Sequence, residues 1–136
     1  MDIIVTSIGG LDEFLLYLAS SLALLTLFIF IYIWITPYHE LALIRQGNVA
    51  AAASLSGTVL GFAIPLAHAV AQSVNLVEMA LWGLIALIVQ LLVFFVVTRI
   101  IPDVARDIPQ GKLAPGILLG ALSLATGILN AACMTY

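Results

Sequence analysis

Ser56-Gly57 followed by His68 has the residue types of an intramembrane serine hydrolase, in which an imidazole takes the proton of a serine hydroxyl. Twelve residues along one straight helix separate the two by about 18 Å, so no hydrogen bond can join them within it. His39, Glu40 and His68 are metal-ligand types, but the first two fall in a polar connection while His68 falls near the far end of a membrane span. No further ligand converges on them, and neither a metal nor another cofactor is expected. Cys133 is the only cysteine, which excludes a disulfide within the chain, and it reads as a small packing residue. No catalytic residue is assigned, and the chain reads as non-enzymatic.

Gln90, Asn130 and His68 carry a different chemistry. Amide and imidazole groups inside a membrane are costly unless hydrogen-bonded, so they tend to face the interior of a bundle. Counting inward places Gln90 near mid-membrane, level with Thr58 and Ser123, and His68 and Asn130 in the outer leaflet. Two roles are open to them: hydrogen bonds between helices, or the lining of a polar pathway. Pro65 serves either, since it removes the backbone bond to Gly61 and frees that carbonyl.

The elements that must position these groups are transmembrane. The chain is 64% hydrophobic and 8% charged, with a mean hydropathy of +1.25, far from the soluble norm of roughly 45 to 50% apolar and about 25% charged. A net charge of −3 offers no basic patch, so nucleic acid is not an expected partner. Residues 1–10 read as a short polar lead ending in Gly9-Gly10. Asp2 in place of a basic n-region, and a long first apolar run, predict that the first segment stays in the mature protein. Spans are predicted over about 11–36, 49–71, 76–101 and 113–134, with Tyr32, Trp34 and Tyr38 at a membrane–water boundary. Between them lie a polar connection from Pro37 to Gly47 with a brief interfacial helix, a tight turn from Ser73 to Glu78, and a second polar connection from Pro102 to Lys112.

The second span is small-sided. Ala50, Ser54, Gly57, Gly61, Pro65, His68 and Gln72 follow at steps of three or four and form one stripe. In the fourth, Gly116, Gly120, Ser123, Gly127 and Asn130 do the same. Gly57-x-x-x-Gly61 is the pattern that lets two helix backbones approach in lipid, where bulky side chains gain nothing from leaving the hydrocarbon. Ser54, Gly57, Gly61, Gly116, Gly120, Ser123 and Gly127 are therefore the expected packing seam, and the odd-numbered spans supply lipid-facing bulk.

That alternation reads as an internal repeat of about 65 residues, dividing the chain into two-helix units 1–72 and 73–136. Pro37, Gln46-Gly47-Asn48 and Ala50 are echoed by Pro102, Gln110-Gly111-Lys112 and Ala114. Two spans per unit make the repeats parallel. Arg45, Arg99, Arg106 and Lys112, all the Lys and Arg present, flank the two polar connections, which places those connections in the cytoplasm and both termini outside.

Thr36-Pro37 with Glu40, Gly47-Asn48 before an Ala run, SLSGTVLGFAIPL from Ser54 to Leu66, Trp82-Gly83, QLLVF from Gln90 to Phe94 and GILNAACMT from Gly127 to Thr135 carry a resemblance over nearly the whole chain. In this order they resemble the YjfL-like bacterial inner-membrane family, catalogued as domain of unknown function number three hundred and fifty. The resemblance implies a bacterial cytoplasmic membrane and no established activity. Two functions from different classes are then open. One is an oligomerising scaffold that offers its cytoplasmic connections to a peripheral protein, in envelope maintenance; the other is a subunit of an oligomeric channel or transporter. Acidic residues confined to the span ends and connections favour the scaffold, because proton coupling needs an intramembrane titrating group.

Overall fold

The computed structural model describes residues 2–134, which form seven helices and, among those residues, no strand. They are α1 (Asp2–Gly9), α2 (Leu11–Ile35), α3 (Glu40–Arg45), α4 (Val49–Gln72), α5 (Leu76–Ile100), α6 (Asp103–Asp107) and α7 (Leu113–Cys133). Four segments are long and apolar enough to cross a bilayer; the predicted second, third and fourth spans match theirs to within one residue, whereas the first segment begins at Asp2 rather than near residue 11.

The N-terminal lead differs from expectation. Asp2–Gly9 is helical and runs into α2, with Gly10 N–H donating to Thr6 O and Phe14 N–H to Gly10 O, both at 3.1 Å. Gly10 stays in the right-handed region, at φ −83° and ψ −7°, so α1 passes into α2 through a single non-helical residue. Ile3, Ile4, Val5 and Ile8 make this segment apolar and exposed rather than polar. The continuous stretch of 34 residues is about 51 Å long at 1.5 Å per residue, well beyond a 30 Å hydrocarbon core.

The two connections close in the same way. Gly47 at φ +85° and Gly111 at φ +81° are the only left-handed residues described. Gly47 N–H donates to Ile44 O and Asn48 N–H to Leu43 O, both at 2.9 Å; Gly111 N–H donates to Ile108 O at 3.0 Å and Lys112 N–H to Asp107 O at 3.2 Å. This paired bonding satisfies the carbonyls left over at a helix C-terminus and requires the backbone conformation that glycine tolerates. Asn48 then starts α4: its Oδ1 accepts from Ala51 N–H at 3.0 Å while its Nδ2 donates to Ile108 O at 3.0 Å, tying one connection to the other. Asn75 caps α5 through Glu78 N–H at 2.8 Å, and the Glu78 carboxylate accepts from Val74 N–H at 3.0 Å.

The centre of the molecule is the α4–α7 pair. A Cβ added at Gly57 would overlap the Gly120 backbone, one at Gly61 the Ser123 backbone, one at Gly116 the Ala50 backbone, and one at Gly127 the Gly61 backbone. The partners ascend together along both helices, so α4 and α7 lie parallel. Backbone contact this close is dry and gains dispersion along its length, the main attraction available between helices in lipid. α5 closes the third side with Met79, Gly83, Ala86, Leu87, Gln90, Phe94 and Val97, so this odd-numbered span buries a full stripe besides facing lipid. α2 is attached more sparsely. Its buried residues are Phe28 and Tyr32, with Phe28 stacked on Phe62 at 4.6 Å and Tyr32 edge-on to Phe94 at 5.4 Å.

Candidate functional site

The stripe on α4 divides by depth. Ser54, Gly57, Thr58, Gly61 and Pro65 are buried, His68 is half-buried, and Gln72 is exposed at the helix end. On α7, Gly116, Gly120, Ser123 and Gly127 are buried and Asn130 is half-buried, with its Nδ2 covered and unpartnered. Ser56 is exposed on α4 and Cys133 is exposed at the end of α7. His39 is exposed, Glu40 buried, and His68 lies on α4 about 21 Å along the helix from Ser54, so the three metal-ligand types are not brought together.

Gln90 joins three helices. Its Nε2 donates to Gly61 O at 3.0 Å and to Ser123 O at 3.1 Å. The Gly61 carbonyl is the one Pro65 leaves without a helical N–H, so an amide from α5 supplies the missing donor. Beside it, Thr58 Oγ1 lies 3.4 Å from Ser123 Oγ. Gln90 Oε1 is buried with no hydrogen-bond partner.

From this mid-core knot a polar column continues toward the α3 end of the bundle, through residues that sequence reasoning placed elsewhere. Tyr32 and Tyr38, expected at the membrane boundary with Trp34, turn inward and are 0% and 7% exposed, whereas Trp34 is 80% exposed. Glu40, expected in a solvated connection, is 0% exposed. Past Ile35 the chain bends at Thr36-Pro37 and lays Glu40 and α3 against α4. Tyr32 reaches toward Thr58, Tyr38 toward Ser54, and both phenols are electrostatically coupled to Glu40.

Neither Glu40 oxygen, and neither of these two phenol oxygens, has a hydrogen bond of good geometry. Burial pushes the Glu40 carboxyl up to about 8, opposed only in part by the Thr36 hydroxyl. Burial first, and then the neighbouring Glu40, raises the Tyr38 phenol as well. An ionised carboxylate with no cation beside it is costly in such a place, so burial favours the neutral acid. The sequence signal for this was a lone acid between Pro37 and the apolar run Leu41–Ile44, with Tyr32 and Thr36 one helical turn apart on the same face.

The matching family model, described as Domain of Unknown Function (DUF350), covers residues 5–134. The chain is 42% identical over 129 residues to the UPF0719 inner membrane protein YjfL of Escherichia coli (strain K12), covering 95% of this chain and 98% of that one. It is 26% identical over 124 residues to the UPF0719 transmembrane protein YshE of Bacillus subtilis (strain 168), covering 90% and 92%. No solved structure matches. With four helices able to cross a bilayer, these likenesses make it a multi-pass bacterial inner-membrane protein.

Proposed function

This chain belongs to the DUF350 family, and from that premise we propose that it is a non-enzymatic scaffold that assembles with further copies in the inner membrane. The observation that carries this reading is the dry α4–α7 contact, which spends the small-residue seam inside one chain and leaves no space for a pore along it. Assembly then falls to α2, whose exposed face presents Ala19 and Ala23 four residues apart beside Leu22, Thr26 and Leu27; small residues at that spacing favour close helix approach in lipid. The parallel α4 and α7, and the matched glycine closures at Gly47 and Gly111, support two parallel two-helix units, 1–72 and 73–136. The four basic residues, all exposed, support connections on the cytoplasmic side, where a peripheral protein would dock, and both termini outside. A C-terminal alkaline phosphatase fusion is then active and one at Gln46 inactive; the reverse pattern contradicts this orientation.

The second reading, a subunit of an oligomeric channel or transporter, is favoured by one observation: the buried column from Glu40 to Gln90. Reconstitution separates the two. The scaffold predicts a multimer in lipid nanodiscs that Ala23→Leu shifts toward monomer, and ion flux through vesicles at background for both wild type and Gln90→Leu. A selective conductance of the wild type that Gln90→Leu removes while the protein still assembles would establish the second reading instead.

A further inference from the structure

We infer that Glu40, Tyr32, Tyr38, Ser54 and Thr58 form an internal proton-binding site, with the exchangeable proton on the Glu40 carboxyl. The inference is independent of the scaffold reading, since a scaffold or a transporter could each carry it.

The α4 hydroxyls are already committed as donors. Ser54 Oγ–H donates to Ala51 O at 3.0 Å and Thr58 Oγ1–H to Ser54 O at 2.8 Å, whereas the Thr36 hydroxyl, 2.9 Å from Ile33 O, also lies near enough to Glu40 to favour its ionised form in part. Their lone pairs, together with both Glu40 oxygens, make the cluster rich in acceptors, while Tyr32 and Tyr38 bring one phenolic proton each. What such a cluster lacks is a donor or a positive charge. Among the described residues no Lys or Arg provides the charge. Arg45 on α3, Arg99 on α5, Arg106 on α6 and Lys112 before α7 are all exposed, and the ion pairs described, Arg106 with Asp103 and Asp107, and Lys112 with Asp107, leave Glu40 out. Of the elements around it, α2 and the loop after it contribute Tyr32 and Tyr38 as titratable neighbours, and the α4 residues in the cluster are hydroxyls. The acids Asp103 and Asp107 belong to the ion pairs on and beyond α6.

Size selects the ligand. Glu40 and Tyr32 are 0% exposed, so no water-sized space adjoins them, and a proton fits where a water or an alkali cation does not. Access is short, because His39 and Leu41 on either side of Glu40 are exposed. Loss of the proton leaves an unpaired anion between α2, α3 and α4, which favours opening of the Thr36–Glu40 connection toward solvent.

Infrared titration of the full-length protein in lipid nanodiscs tests this between pH 4 and 10. The expected result is a protonated-carboxyl band that persists through pH 7, disappears with a midpoint near 8, and is absent from Glu40→Gln. Thr36→Val, which removes the hydroxyl that favours the ionised form, should move the midpoint upward and so assigns the band even if the glutamine variant does not fold. A wild-type midpoint near 4.5, no band at pH 7, or a band left unchanged by both variants overturns the inference. So does a midpoint that moves when sodium replaces choline, which would mean a metal cation occupies the site.

Discussion

Gly61→Leu and Gly127→Leu are expected to leave little folded protein, whereas Leu92→Ala leaves it intact. Leu92 is 55% exposed on α5 and loses only lipid contact on truncation. At Gly61 and Gly127 even a Cβ overlaps the facing backbone, and a backbone, unlike a flexible side chain, cannot move aside without separating the helices. The loss should be about 3 kcal/mol or more, the upper end for overpacking, because parting α4 from α7 also breaks the two Gln90 hydrogen bonds. Resistance to thermal aggregation in detergent measures it. Equal tolerance of all three substitutions would mean that the glycines face lipid.

A second large effect is expected from pH. The Glu40 carboxyl holds its proton to about pH 8 in the folded protein, against 4.5 for its ordinary value. Between those limits unfolding releases the proton, so the folded state binds more protons and stability falls as pH rises through the window. Below about 4.5 this contribution is fully present, and above about 8 it is gone. Glu40→Gln keeps the shape of the neutral acid and carries no proton to lose, so its stability between pH 5 and 8.5 should be flat where that of the wild type declines. A wild type whose midpoint of thermal unfolding is the same at both pH values, or one that rises, contradicts the burial of an unpaired acid.

Local features of this fold were legible in the sequence and tertiary ones were not. Span limits follow from apolar run length and from short-range chemistry at Asn48, Asn75, Gly47 and Gly111, all within a few residues of where they act. The steps of three and four that bring Gly57, Gly61, Gly120 and Gly127 onto one face are likewise a property of one helix. Pro65 announced a freed carbonyl at Gly61, but the donor that meets it is Gln90, 29 residues away. Asn48 Nδ2 bonding Ile108 O, across 60 residues, had no local signature either. The larger omission was the Glu40 cluster. Charge and aromatic content marked Tyr38 and Glu40 as interfacial, and only the path of the chain after Pro37 turns them inward. At Gly9-Gly10 the expected boundary is present, since α2 begins at Leu11, but the lead before it is an apolar helix rather than a polar one, because Ile3, Ile4, Val5 and Ile8 outweigh its few polar residues.

The parallel, backbone-to-backbone α4–α7 core is the claim on which the rest depends. Magic-angle-spinning NMR of the protein in lipid, labelled with ¹³C at glycine Cα, measures it without any substitution. Cα–Cα cross-peaks are expected for Gly57 with Gly120 and for Gly61 with Gly127, undiminished when labelled chains are diluted in unlabelled ones. Absence of these cross-peaks, or their loss on dilution, would place the seam between chains or in lipid and contradict it.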